Sequence, residues 1–160
     1  LADVTNIHGG NYSASAVGEV NVVNEMKRTN AIIGGEGNGG VIVPDLHYGR
    51  DALAGIAIFL SLLAEKGISM TELKATYPTY VIIKDKLELT PALDLDLIFA
   101  NIKETFKNEK LNDIDGLKID FAEGWVHMRK SNTEPIVRIY CEAKDDNTAQ
   151  SLIQKVKSII

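Results

Sequence analysis

The stretch Leu117-Lys118-Ile119-Asp120-Phe121-Ala122-Glu123-Gly124-Trp125-Val126-His127-Met128-Arg129 decides the fold. Leu117, Ile119 and Phe121 alternate with Lys118 and Asp120, the period of two that marks a strand with one buried face. Glu123-Gly124 supplies a turn, and residues 125–129 continue as a second strand. Arg129-Lys130-Ser131-Asn132-Thr133-Glu134-Pro135 then connects to a third extended run, residues 136–143. Asn147 is expected to cap a last helix reaching Ile160. Upstream, residues 80–83 and 87–89 extend, and Thr90-Pro91 reads as N-cap and first turn of a helix whose buried stripe runs through Ile98, Ile102 and Phe106. Strand, helix, three strands, helix predicts a small α+β domain over residues 79–160, its helices on one face of a mainly antiparallel sheet.

The loop between the last two strands concentrates unusual chemistry. Arg129 offers a planar fork, Lys130 an ammonium, and Ser131, Asn132 and Thr133 short polar groups that suit a phosphate. Arg138 begins the next strand near the same loop, which brings both guanidinium groups within reach of one anion. A polar hairpin loop with charged flanks is the competing reading, since Ser, Asn and Thr also favour loops for local reasons.

In the first half, residues 1–6 read as a helix end stopped at His8-Gly9-Gly10, and residues 12–17 as a short strand. Residues 18–29 carry Val20, Val23 and Met26 at the spacing of a helix with one buried stripe. A strand at residues 31–33 runs into Gly34-Gly35-Glu36-Gly37-Asn38-Gly39-Gly40, and residues 41–43 resume the extended pattern. Five glycines around one carboxylate and one carboxamide allow close approach of a ligand with hydroxyl groups, and a flexible hairpin tip is the alternative. The loop lacks the Lys-Ser/Thr ending of a nucleotide phosphate cradle. His47 stands without a second ligand at metal spacing and reads as a loop or capping residue. Asp51 and Gly67 bracket a helix over residues 52–66, apolar on nearly every side and therefore expected to be buried against a sheet. Ser69-Met70-Thr71-Glu72 fits a capping box for a short helix ending before Tyr77-Pro78. A domain boundary is expected between residues 77 and 84, making residues 1–78 a mixed-sheet α/β domain.

A chain of 160 residues with 45% hydrophobic and 24% charged residues is globular in composition. Its net charge of −5 speaks against a general nucleic-acid binder, which rests on a basic face. No apolar run approaches the ~20 residues of a membrane span, the longest being residues 52–64. Cys141, the single cysteine, lies in an apolar run, as expected of a small buried residue in a reducing, cytoplasmic setting. The chain opens on Leu1 without an initiator Met, which suggests a piece of a larger protein.

Arg129-x-Ser131-Asn132-Thr133-Glu134-Pro135-x-x-Arg138 resembles the phosphate-binding loop of the α-D-phosphohexomutases, the phosphoglucomutase/phosphomannomutase family. Gly34 to Gly40 resembles the family's sugar-binding loop, and Val17-Gly18-Glu19 with the helix through Met26 resembles the segment before it. The resemblance implies most of a third domain followed by a complete fourth. It implies that Arg129, Ser131, Asn132 and Thr133 hold the substrate phosphate that is not reacting, with Arg138 supporting the loop and adding a second phosphate contact. It also implies that Glu36 and Asn38 bind sugar hydroxyls. The family interconverts hexose 1- and 6-phosphates through a bisphosphorylated intermediate, using a phosphoserine and a magnesium-holding aspartate loop from its first two domains. Neither loop occurs here, so no catalytic residue and no metal ligand is expected in this chain, which alone is expected to be inactive. The expected partners are a hexose phosphate and the enzyme's own N-terminal domains, with neither nucleic acid nor membrane. A phosphoglucosamine mutase and a non-catalytic phosphosugar-binding module are the alternatives. Two departures stand out: several family members carry Ser and His where this chain has Asn38 and Gly40, and some carry His where it has Glu19.

Overall fold

A computed structural model describes residues 1–90, 93–131 and 133–160, and its contacts divide the chain into two units, Leu1–Pro78 and Thr79–Ile160. The first unit begins with α1 (Ala2–Ile7), followed by residues 11–17, which form no strand. Among the described residues no strand pairs with residues 12–17, so the expected strand does not form. Helix α2 (Glu19–Thr29) ends at Asn30, whose left-handed conformation (φ 52°) closes the cap, and it buries Met26 while Val20 stays exposed. The strand expected at residues 31–33 shifts to β1 (Gly34–Gly35), which pairs with β2 (Val41–Ile42). Ala31 is still occupied in closing the helix, donating to Met26 O at 3.0 Å, and extension begins only after it. The glycines are what let it begin there: a Cβ on Gly34 would sit 2.2 Å from Met26 Sδ.

Helix α3 (Ala52–Lys66) starts at the Asp51 cap, whose carboxylate accepts from Ala54 N–H, and stops at Gly67 with φ 63°. Its expected burial is not found. Among its residues only Ala54 is buried, while Leu53, Ile56, Ile58, Phe59 and Leu60 are exposed. The reason is a lack of partner surface, because the only sheet among the unit's described residues is two strands of two residues each. Helix α4 (Met70–Ala75) carries the anticipated capping box, with Ser69 N donating to Glu72 at 2.8 Å and Ser69 Oγ accepting from Glu72 N.

The second unit is a five-stranded antiparallel sheet in the order β3-β7-β6-β5-β4, comprising β3 (Val81–Glu88), β4 (Lys110–Asn112), β5 (Leu117–Phe121), β6 (Gly124–Lys130) and β7 (Ile136–Ala143). The two extended pieces expected at residues 80–89 are one strand, and β4 was not anticipated because its three residues show no alternation. Leu117, Ile119, Val126, Met128, Val137, Ile139 and Cys141 all point to one face, where α5 (Leu95–Thr105) and α6 (Asp146–Lys157) cover them. Ile98, Ile102 and Phe106 line the α5 side, as their spacing predicts. The caps differ from expectation. Asp94 rather than Thr90 accepts from Asp96 and Leu97 N–H, and Asp145 rather than Asn147 accepts from Thr148 N–H. In both cases a carboxylate at an extended residue directly before the helix takes the role, and Asn147 falls inside the first turn of a helix that ends at Lys157. Pro91 lies outside the described residues.

Cys141 is fully buried, and burial pushes its thiol up to about 11. Strand β3 is a sheet edge, and Asp85 on its helix-covered side accepts from Lys157 Nζ at 2.6 Å. This inward-pointing charge marks the edge against pairing with another strand. Lys157, and then the Lys86 N–H, hold the Asp85 carboxyl below its ordinary 3.8. A lowered carboxyl pKa adds stability above the unfolded value and loses it as pH falls through the folded one. Asp85→Asn is therefore expected to destabilise the unit by about 1 kcal/mol at pH 7, with the deficit closing as pH falls below the ordinary carboxyl value of 3.8 in chemical denaturation series.

Candidate functional site

The two loops flagged by the sequence each become a small polar site within its own unit. In the second unit, β6 and β7 pair with Arg129 directly opposite Arg138. Because Met128 and Ile139 face the core, both arginines lie on the opposite, helix-free face. Lys86 is the next residue across, opposite Arg138 on β3, so three cations line one row of the sheet. Side chains opposite one another in antiparallel strands are about 5 Å apart, and like charges there repel. Each guanidinium has its own carboxylate: Arg129 Nη1 donates to Asp115 at 3.2 Å, and Arg138 Nη2 donates to Glu134 at 2.9 Å. Lys86 is paired with Glu88 at 2.6 Å. Each of these two arginine contacts engages a single nitrogen, which leaves most of the five N–H donors of each fork for a ligand.

The loop beside this row is held by its own backbone. Ser131 N donates to Ile136 O at 2.9 Å, and Leu89 N donates to Pro135 O at 2.8 Å. Ser131 is buried, and its Oγ lies 3.4 Å from both Thr133 Oγ1 and Thr133 N. The structure thus brings Arg129, Ser131, Thr133 and Arg138 to one end of the open sheet face. Lys130 is exposed. Asn132 lies outside the described residues. Asp115 escaped the sequence reading. The register that pairs Leu117 with Met128 brings it beside Arg129, and His127 Nε2 lies 2.6 Å from its carbonyl. The Asp113-Ile114-Asp115-Gly116 turn was its only signal, with Gly116 at φ 77°.

In the first unit, the glycine loop turns tightly between β1 and β2. Gly39 N donates to Glu36 O and Glu36 N donates to Gly40 O, both at 3.0 Å, and Gly39 adopts φ 98°. Asn38 Oδ1 accepts from Gly40 N at 3.2 Å, leaving its NH₂ group as a donor. An open cleft of about 750 Å³ is lined by Glu19, Asn38, Gly40, Val41, Arg50 and Ala52, with two more glycines. Glu36 does not line it directly. Its carboxylate is largely covered and lies 3.9 Å from Arg50 Nη1. Arg50 was the second residue missed, since its partners Glu19 and Glu36 are distant in sequence. His47 acts locally, as its isolation suggested: Nδ1 accepts from Gly49 N at 3.1 Å, which puts the ring proton on Nε2 facing Asp51 at 3.2 Å.

Chemically these are two hydrogen-bonding clamps, one cationic with hydroxyls and one of mixed carboxylate, amide and guanidinium. Both loops lie in segments that sequence comparison matches to a known family. Residues 1–80 match the model for phosphoglucomutase/phosphomannomutase, alpha/beta/alpha domain III, and residues 82–159 match that for the C-terminal domain. The chain belongs to the phosphoglucomutase/phosphomannomutase family.

It is 38% identical over 146 residues to a phosphoglucosamine/phosphogalactosamine mutase of Sulfurisphaera tokodaii, covering 90% of this chain and 32% of that protein. A phosphoglucomutase/phosphomannomutase of Thermococcus kodakarensis is 36% identical over 156 residues, covering 96% and 34%. The crystal structure of a phosphoglucomutase/phosphomannomutase family protein from Burkholderia thailandensis superposes with a TM-score of 0.77 at 24% identity, over 99% of this chain and 34% of that one. This last likeness is one of fold. The chain spans about a third of the length of the curated relatives it matches.

The paired charges of the second unit make a direct prediction. Asp115→Asn leaves Arg129 facing Arg138 without its carboxylate, and is expected to lower stability by about 1 kcal/mol. Added phosphate or sulfate should restore more of the melting temperature in this variant than in the wild type, because an oxyanion can replace the lost carboxylate. Equal gains in both proteins contradict the charge argument.

Proposed function

We propose that this chain supplies the sugar and phosphate contacts of a phosphohexomutase that interconverts hexose 1- and 6-phosphates, of glucose or mannose, through a bisphosphorylated intermediate. The observation that carries this reading is the register pair Arg129–Arg138 on an open sheet face beside the hydroxyls of Ser131 and Thr133. A phosphate dianion placed there receives charge-assisted hydrogen bonds from two forks and neutralises the repulsion between them. Ser131 and Thr133 add hydroxyl donors, and Asn132 joins them by resemblance to the family loop. In the first unit Asn38 and Glu36 take the sugar hydroxyls, the amide as donor and the carboxylate as acceptor.

Phosphoryl transfer rests mainly on positioning and charge stabilisation, and these are the tasks assigned to this chain. The phosphoserine and the magnesium site belong to N-terminal domains of the same enzyme, which are its partners together with the substrate. Among the described residues no group of three or more His, Cys, Asp or Glu is placed to hold a metal ion. With the phosphoserine assigned to those other domains, the chain by itself is proposed to have no mutase activity. A cytoplasmic setting suits a phosphosugar enzyme with a buried free thiol, and no described helix is long and apolar enough to cross a membrane. A second reading, an amino-sugar phosphate as substrate, is favoured by the Sulfurisphaera relative and by the Glu19 carboxylate that lines the cleft.

Titration of this chain with glucose 1-phosphate tests the phosphate role. Arg129→Ala is expected to weaken binding by about 1.5–3 kcal/mol, and added salt should weaken the wild type more than the variant. Equal binding by both removes the role. Activity of the full-length enzyme on glucose, mannose and glucosamine phosphates, assayed side by side, separates the two substrate readings. A rate at least tenfold higher on glucosamine phosphate selects the second reading, taking about 1.4 kcal/mol as the discriminating threshold.

A further inference from the structure

Three separate segments of the first unit meet at one side chain, Arg50. Its Nε donates to Glu19 Oε2 at 2.9 Å, and its own backbone N–H donates to Glu19 Oε1 at 3.3 Å. Glu19, in the first turn of α2, therefore holds residue 50 by both backbone and side chain. On the other side, Nη1 lies 3.9 Å from Glu36 Oε2, so the guanidinium stands between two carboxylates. The aliphatic stem passes over the end of the glycine loop, where a Cβ on Gly40 would come within 2.7 Å of Arg50 Cδ and 3.2 Å of Cγ. Gly40 is thus the residue that leaves room for Arg50, and Glu19 is the residue that anchors it. The two departures from the family pattern noted in the sequence are joined through a single arginine.

We infer that Arg50 is a positioning residue for the sugar contact, fixing the Glu36 carboxylate at the edge of the cleft by a guanidinium that Glu19 anchors and Gly40 admits. This rests on the reading of Glu36 as a sugar ligand. A carboxylate on a free glycine-rich loop loses rotamer and backbone entropy whenever a hydroxyl binds it, whereas one held beforehand does not. The arginine suits the task because its fork can serve two carboxylates at once and keeps its charge at every physiological pH. Holding Glu36 between guanidinium and ligand also keeps its charge compensated when the cleft is empty.

The test uses the full-length enzyme, with steady-state kinetics on glucose, mannose and glucosamine 1-phosphates for Glu36→Gln, Arg50→Ala, Arg50→Lys, Gly40→Ala and the double variant Gly40→Ala/Arg50→Ala. A contact made in both ground and transition states acts on KM, so Arg50→Ala is expected to raise KM about tenfold with a smaller change in kcat. Arg50→Lys, which keeps the charge but loses the fork, should recover part of that loss. Gly40→Ala should raise KM while Arg50 is present and add nothing once residue 50 is alanine, a non-additivity that a general loosening of the loop does not produce. Should Arg50→Ala fail to fold, Arg50→Lys and Gly40→Ala still carry the comparison. An unchanged KM in the Arg50 and Gly40 variants, beside a raised KM in Glu36→Gln, overturns the inference and leaves the sugar role of Glu36 standing. An unchanged KM in Glu36→Gln removes that role and the inference together.

Discussion

The register between β6 and β7 is the constraint on which the second unit depends. Val126 and Met128 on one strand and Val137, Ile139 and Cys141 on the other all have to face α5 and α6. A slip by one residue would turn this whole apolar set to water, at a loss of about 1.5–3 kcal/mol for each large side chain. The core therefore holds the pairing, and the pairing sets Arg129 opposite Arg138 on the other face. Two like charges side by side are unfavourable in themselves, and only a register imposed from the buried side keeps them there. Asp115 and Glu134 then compensate the charges locally, one from the turn before β5 and one from the loop itself.

The glycine loop of the first unit solves a similar problem without a large core. Its ladder has only two residue pairs, and its shape comes from steric permission: glycine at 34 clears Met26, glycine at 35 clears the Gly40 carbonyl, and glycine at 40 clears Arg50. To its internal hydrogen bonds it adds the Glu19–Arg50–Glu36 bridge, which links α2, the loop and the entry to α3. One site is thus placed by hydrophobic burial and the other by an ion network around glycine.

Much of this was legible in sequence where a short-range rule decides. Strand alternation at Leu117, the helix stripe of Ile98, Ile102 and Phe106, the Asp51 and Ser69 caps and the Gly67 stop each involve residues a few positions apart. The misreadings share a different cause. The burial of α3 depends on whether a partner surface exists, which hydropathy of the helix alone does not report. Asp94 and Asp145 took caps from Thr90 and Asn147 because cap choice depends on where the chain leaves extended geometry. Asp115 and Arg50 were invisible because their partners lie 14 and 31 residues away, reached only through a register and a loop. Both loops stood out in the sequence, whereas the charges that pair with their side chains did not.

That compensation also bears on how such a site could release what it binds. A bare pair of guanidinium groups would hold a phosphate tightly, because releasing it would restore the full repulsion between them. With Asp115 and Glu134 beside them, a departing phosphate is replaced by carboxylates already in contact, so the empty site is itself a stable arrangement. On the proposed phosphate reading, this narrows the free-energy difference between loaded and empty states. For a ligand that, as proposed, must leave the clamp by one phosphate and return by the other, moderate affinity is the useful property. Interactions of equal strength in every bound state deepen all of them alike and do not speed the chemical step. On that reading the paired acids keep the cationic row from becoming a trap, on a face that α5 and α6 leave uncovered.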